Sequence, residues 1–374
     1  MWENVSLLRR IALFRMLICG NIRRCIGCMR LEQLDYELPS NLIATKPAVP
    51  RDQARLMVVH SSSGRIEHHR ISDLPDHLDA TDIMVRNRSR VLPARIEGSR
   101  VDTGGRVSGL YLHSLDDGSW VAMLKSNGKL RSGLSIQLGE DGPVLELLGR
   151  DGASWIMRCD RDQTAEAVLQ SHGKTPLPPY ILSARGEEMI DESEDRDWYQ
   201  TIYARESGSV AAPTAGLHFT CELEEALRIK GVSFLDVLLH VGPGTFQPVS
   251  APTLDKHQMH REDYQVEKAV LDIIMATDRA RRLVAVGTTT ARVLESLPES
   301  NPGRDWSAST ELMISPPWTW RHVDVLMTNF HLPRSTLLAL VAARIGIELM
   351  HEAYAIAVEK EYRFYSYGDA MLLL

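Results

Sequence analysis

Between residues 208 and 220 the chain reads Gly-Ser-Val-Ala-Ala-Pro-Thr-Ala-Gly-Leu-His-Phe-Thr, without one acid, lysine or arginine. A surface loop would be more polar, and a core helix would not place Pro and two Gly there. Residues 222–231 then run with acids early, bases late and a glycine stop, which is the pattern of a helix. Small residues feeding a helix N-terminus leave backbone amides open to a polar ligand. The same residues equally suit a buried turn chosen only for close packing. Four further blocks of this character follow. Residues 238–241 are apolar and enter Gly242-Pro243-Gly244; residues 284–286 enter Gly287 and the threonines 288–290; the strand 323–327 enters the block 328–336. The last block, 362–371, lies near the C-terminus. Apolar strands alternating with helices fold as an α/β layer with a largely parallel sheet, and ligands gather where such strands end.

Residues 77–159 have another texture. Short candidate strands at 83–96, 109–113, 119–125, 134–138, 144–148 and 154–158 are separated mostly by Gly or Asp-Gly turns. That spacing points to a small antiparallel barrel or sandwich.

The chain has 374 residues, enough for a large core and two domains. It contains no apolar run long enough to span a bilayer, so no membrane partner is expected. Five cysteines are scattered rather than paired, which fits a reducing cytoplasm better than a disulfide framework. Cys25 and Cys28 have the spacing of half a zinc site with no second pair nearby, and no metal is expected. The first 28 residues hold five Arg against Glu3. They read either as a targeting helix or as an unselected extension upstream of Met29, and poor order is expected there. Residues 1–30 hold six Arg and one Glu, so the remainder carries 36 basic and 48 acidic side chains, net −12. That balance argues against a purely electrostatic nucleic-acid binder, although only a local patch has to be positive.

The blocks together closely resemble one family, the S-adenosylmethionine:tRNA ribosyltransferase-isomerases of queuosine biosynthesis. The resemblance begins at Asp35-Tyr36-Glu37-Leu38-Pro39 and Pro50-Arg51-Asp52. It continues through residues 87–95, 177–181 and 199–204, His257-Gln258-Met259-His260, and the C-terminal blocks. It implies a discontinuous α/β catalytic domain (29–76 and 160–374) with an inserted antiparallel β-barrel domain (77–159). It also implies S-adenosylmethionine as a consumed substrate rather than a cofactor, and a tRNA carrying 7-aminomethyl-7-deazaguanine as acceptor. The products would be epoxyqueuosine in tRNA, adenine and methionine. A monomer is expected. Two departures stand out: Asn87-Arg88-Ser89-Arg90 where Asn-Asp-Thr-Arg is usual, and Arg344 where an aromatic is usual.

Such chemistry needs a base for the C5′ proton beside the sulfonium, a donor for departing adenine, and a neutral acceptor amine. His218, His331, Glu262 and Asp369 are the proton-transfer candidates. Thr214, Gly216, Phe219, Gly242, Gly244, Thr288, Thr289, Asn329, Arg334, Ser335 and Tyr367 are the substrate-binding candidates. Thr288 and Ser335 equally read as helix caps, and His240 as a hydrogen-bonded core residue. His257 and His260 would share a face if helical, but lack a third metal ligand. Phe219, Phe246, Tyr365 and Tyr367 are aromatic partners for a sulfonium. Arg86, Arg88, Arg90 and Arg95, with Arg279, Arg281 and Arg282, are candidate phosphate contacts or simply a solvated face. An ordinary methyltransferase and a non-catalytic tRNA-binding relative are the rival readings; Gly242-Pro243-Gly244 is too short a glycine motif to favour the former.

Overall fold

The computed structural model describes residues 29–186, 190–242, 244, 249, 251, 253–276 and 280–374. The Arg-rich extension, Cys25 and Cys28, Phe246 and Arg279 lie outside these residues. Seventeen strands follow in order: β1 (Arg55–Val59), β2 (Ile66–Arg70), β3 (Ile83–Asn87), β4 (Ser89–Val91), β5 (Arg95–Arg100), β6 (Arg106–Ser114), β7 (Trp120–Ser126), β8 (Ser135–Leu138), β9 (Val144–Asp151), β10 (Ser154–Cys159), β11 (Glu206–Ser209), β12 (Ser233–Leu239), β13 (Glu262–Val266), β14 (Leu283–Val286), β15 (Trp306–Thr310), β16 (Val325–Asn329) and β17 (Ala370–Leu373).

Nine of them form one sheet in the order β15-β13-β12-β3-β14-β16-β17-β1-β2. Its centre, β12-β3-β14-β16, is parallel. The sheet is nevertheless mixed rather than largely parallel, because β13, β15 and β2 pair antiparallel and β17 runs antiparallel to β16. Burial explains the division. Every residue of β3, β14 and β16 is buried, as an apolar strand covered on both faces requires. Strand β13 alternates buried and exposed, so only one of its faces is covered. Alternate residues of β14 serve two cores: Leu283 and Ala285 on one face, Val284 and Val286 on the other. The helices Thr288–Glu295, Thr336–Ile345 and Ile347–Glu359 cover the first face, and the helix Cys221–Lys230 covers the second.

The barrel is closed by six antiparallel strands in the order β10-β7-β6-β5-β8-β9. Ile96, Val107, Trp120, Ile136, Leu145 and Trp155 fill its interior. Helix Ala165–His172, capped by Thr164, adds Ala165, Val168 and Leu169 to that core. The barrel strands therefore start at Arg95 and not near residue 77. The stretch expected as one strand over 83–96 breaks into three. The side chain of Asn87 bonds to the Ser89 amide at 3.1 Å and ends β3, and Pro93 separates β4 from β5. β3 belongs to the middle of the large sheet, and β4 pairs parallel with β11.

Phe219, expected to meet substrate, is fully buried in the second core with Leu56, Val58, Leu223 and Val284, edge-on to Tyr203 at 6.1 Å. An apolar ring between a tight turn and a helix start plugs the space beneath the sheet. Phe219→Ala should destabilise the fold by about 3–5 kcal/mol, measured by urea unfolding; an unchanged midpoint would contradict the core assignment.

Candidate active site

The four parallel strands place their carboxyl ends along one edge, ending at Leu239, Asn87, Val286 and Asn329. Three groups of side chains assemble there.

The first is centred on Asn329. Its Oδ1 accepts from Thr214 Oγ1 at 3.0 Å, and its Nδ2 donates to the Tyr365 carbonyl at 3.2 Å. A carbonyl can only accept, so the amide orientation is determined. The same Nδ2 lies 3.1 Å from His218 Nε2, which must then accept, leaving the His218 proton on Nδ1. His218 is 4% exposed. Burial pulls its pKa down to about 4, partly opposed by the Asp369 charge, so the imidazole is neutral at physiological pH. Thr214 and His218 begin and end one 3₁₀ turn, Thr214–His218, that packs on β16. Gly216 inside that turn is a packing requirement, because a Cβ there would collide with the Tyr203 hydroxyl. Tyr365 holds φ 72°, uncommon for a non-glycine residue, and its ring stacks on Tyr180 at 4.0 Å.

The second group is a cleft lined by Gly244, His257, Met259, His260, Glu262, Thr288, Thr289, Arg292 and Thr336. Glu262 is buried, takes the Gly242 amide at 3.2 Å on Oε1 and pairs with Arg292 through Oε2. Both oxygens are committed, so Glu262 holds the glycine turn rather than moving a proton. The cap of helix Thr288–Glu295 is Gly287, not Thr288. Neither the Thr288 nor the Thr289 hydroxyl has a hydrogen-bond partner among the described residues, and Arg292 Nη2 is buried without one. Residues 257–260 are irregular backbone, so the two imidazoles do not share a helical face. The two groups adjoin: a Cβ on Gly287 would lie 3.6 Å from the Ala215 Cβ and 3.9 Å from Thr289 Oγ1.

The third group, Asn87, Ser89, Ser209 and His240, is a closed network. Ser89 Oγ meets Ser209 Oγ at 2.6 Å and His240 Nδ1 at 2.9 Å, while Asn87 brackets Leu239 with bonds of 2.9 and 3.1 Å. His240 is hydrogen-bonded as the sequence suggested, but it is half-buried at the edge of the core.

Other candidates stand elsewhere. His331 is buried, bonded through Nε2 to Thr328 at 2.7 Å and through its backbone to Tyr354 and Tyr36. Burial lowers its pKa to about 3. The carboxylate of Asp369 takes the amides of Arg55 and Arg363 at 2.9 and 2.8 Å and the Arg55 guanidinium at 3.2 Å; it is a clasp between β1 and the final turn. Ser335 caps helix Thr336–Ile345. Arg334 is exposed and faces Asp35 at 3.9 Å. Tyr367 is buried beside Trp198 and Tyr199, its hydroxyl without a partner among the described residues.

A second cleft, on the face covered by helix Cys221–Lys230, contains Arg86, Tyr203, Arg205, Glu224 and Arg228. Its buried Arg86 is neutralised by Glu224 and Asp236 at 2.7 and 2.9 Å, and it holds none of the proton-transfer or substrate-binding candidates. Arg292 was missed in the sequence. It sits three and four residues after Thr289 and Thr288, the spacing that puts all three on one helical face.

The two buried imidazoles make stability acid-sensitive. Below the ordinary value of 6.5 the unfolded chain takes up protons that the folded chain refuses until about pH 4 at His218 and about pH 3 at His331. Stability should therefore fall as pH drops from about 6.5, on the order of 1.4 kcal/mol per pH unit per group. Urea midpoints from pH 7.5 to 5 test this, and His331→Gln should show a shallower fall than the native chain; an equal fall would contradict neutral burial.

The chain matches the family described as Queuosine biosynthesis protein over residues 31–373. It is 46% identical over 352 residues to the S-adenosylmethionine:tRNA ribosyltransferase-isomerase of Symbiobacterium thermophilum, covering 92% of this chain and 100% of that one. It is 47% identical over 347 residues to the protein of the same name from Rubrobacter xylanophilus, covering 92% and 98%. The crystal structure of S-adenosylmethionine tRNA ribosyltransferase from Thermotoga maritima superposes with a TM-score of 0.51 at 35% identity, covering 91% of this chain and 100% of that one. Matched by the family over residues 31–373 and by relatives over 92% of its length, this chain belongs to the queuosine biosynthesis protein family.

Proposed function

We propose that this protein is an S-adenosylmethionine:tRNA ribosyltransferase-isomerase. It transfers and isomerises the ribosyl moiety of S-adenosylmethionine onto 7-aminomethyl-7-deazaguanine at the tRNA wobble position, giving epoxyqueuosine-tRNA, adenine and methionine. The supporting observation is the pairing of a neutral, oriented imidazole (His218) with a cleft whose donors (Thr288, Thr289 and Arg292 Nη2) have no acceptor among the described residues. The unpaired Arg292 nitrogen and the two hydroxyls at a helix start suit the methionyl carboxylate and ribose oxygens.

His218, with its proton on Nδ1, is arranged to donate, as the ring nitrogens of departing adenine require. Asn329 is its positioning residue, and Thr214 and the Tyr365 carbonyl hold Asn329. The base for the C5′ proton comes from the cleft imidazoles His257 and His260. Burial lowers the His257 pKa and favours its neutral, basic form. S-adenosylmethionine is substrate, no separate cofactor takes part, and the protein acts as a cytoplasmic monomer. No helix among the described residues is long and apolar enough to cross a membrane.

Incubation with S-adenosylmethionine and tRNA bearing the aminomethyl base should release adenine and methionine. S-adenosylhomocysteine would instead indicate a methyltransferase, and tRNA binding without turnover a non-catalytic relative. His218→Ala should lower kcat by about 10²–10⁴-fold. Thr289→Val should mainly raise KM, by about 3–10-fold. His331→Gln should leave the rate per folded molecule near native, measured in the same product assay.

A further inference from the structure

The arginines that the sequence offered for phosphate contact are largely consumed within the protein. Arg86 is buried between Tyr203 and Phe234 and paired to Glu224 and Asp236. Arg88 is held by Glu206 and Glu267, Arg95 by Glu97, and Arg282 by Asp82 and Asp79. In a body where acids outnumber bases 48 to 36 that outcome is expected.

One end of the barrel departs from it. Arg106 opens β6 opposite Ser99, and Lys125 near the end of β7 pairs with Ser108. Lys129 and Arg131 lie in the β7–β8 connection. That connection folds over the same end: Val101 donates to the Ser135 carbonyl at 3.0 Å, and a Cβ on Gly128 would lie 2.8 Å from Arg100 Nη1. Arg106, Lys125, Lys129 and Arg131 are all exposed, and none has an ion-pair partner among the described residues. The nearest acid in sequence, Asp102, is taken by Arg100 at 2.8 Å. The other acids toward this end are Asp151, in the β9–β10 hairpin, and Glu146.

The opposite end carries Asp116, Asp117, Glu140, Asp141, Asp160 and Asp162, against Arg158 and Arg161. The chain enters and leaves the barrel at that acidic end, where Arg95 bridges Lys174 and Leu92 bonds to Ser209. The barrel is therefore polarised, with its acidic base toward the α/β domain and its basic tip pointing away. Six residues of β5 separate the two, about 20 Å at the rise of a strand.

We infer that the basic tip of the barrel is a docking surface for the sugar-phosphate backbone of tRNA, remote from the nucleotide being modified. This rests on the proposed tRNA reaction for the identity of the polyanion. Four unpaired cations on a rigid closed barrel neutralise phosphates without reading sequence. The glycine-rich loops at that end, with Gly104 and Gly133 at φ 68° and 80°, let backbone approach a strand closely. The acidic base repels the same polyanion and so favours its approach from the tip. A separation of about 20 Å between tip and barrel base suits a structured RNA and not a small ligand.

The test is salt-dependent binding of purified substrate tRNA to the full chain and to a variant carrying Arg106→Ser, Lys125→Ser, Lys129→Ser and Arg131→Ser. Loss of four phosphate contacts should weaken binding at least tenfold at moderate salt. The slope of log affinity against log salt should flatten by about 3, at roughly 0.7–0.9 per contact. The variant should keep its unfolding midpoint and its kcat at saturating tRNA, with KM raised, whereas Glu140→Gln with Asp141→Asn should not weaken binding. Native affinity and slope in the fourfold variant would overturn the inference, including the case in which the tip serves an acidic protein instead. If tRNA binding depends on the tip but no adenine is released, the reaction assignment fails and the docking surface stands.

Discussion

The parallel pairing of β12, β3, β14 and β16 is the constraint on which the candidate site depends. β3, β14 and β16 are buried along their length, and the alternate residues of β14 are fitted to two different cores, so a slip in register would misplace both sets and the carboxyl ends are held in line. The turns beyond those ends then have nowhere to lie but against one another. Asn329 consequently reaches a threonine and a histidine more than one hundred residues earlier in the chain. The small residues that drew attention to the turns serve this crowding directly. Gly216 accommodates Tyr203, and Gly287, at φ 91°, makes the backbone turn that starts helix Thr288–Glu295 beside the turn Thr214–His218.

Polar chemistry at such an edge is burdened by desolvation, and the structure handles it in two ways. The imidazoles of His218 and His331 are kept neutral, because charging them away from water is unfavourable. The carboxylates of Glu262 and Asp369 remain acceptors by binding arginines and backbone amides. These carboxylates are structural clasps, each fastening a turn through its amide and guanidinium bonds. The hydroxyls of Thr288 and Thr289 and one nitrogen of Arg292 stand outside that pattern of internal satisfaction, which is what separates a ligand-facing surface from a well-made core.

Charge shows the same separation on a larger scale. In the α/β domain, Arg86 and Arg88 of the stripe are matched to Asp236, Glu206 and Glu267, and Arg90 donates to the Ala204 carbonyl. At the barrel tip, four cations lack such partners among the described residues, although the chain has acids in excess. An alternating stripe along a strand is therefore weaker evidence for a nucleic-acid surface than cations left unmatched after folding.

Much of the architecture was legible in the order of residues. Alternating strands and helices after residue 160, short turn-separated strands before it, and the helix signals at Gly231 and Ser335 all follow from local chemistry and appear as expected. The family blocks likewise located the turns that meet at the sheet edge. Sequence could not divide the stretch over 83–96 among two sheets and a barrel, since the break depends on which neighbours pair with each piece. Nor could it sort the candidate side chains. Thr214, His218 and Asn329 converge, whereas Phe219 fills a core, Ser335 caps a helix and Asp369 fastens a turn, though all lie in or beside equally distinctive blocks. Periodicity and turn chemistry are local properties that the chain carries with it. Which polar groups find partners is decided only when distant segments meet, because a hydrogen bond or an ion pair forms over a few ångströms in space whatever the separation in sequence.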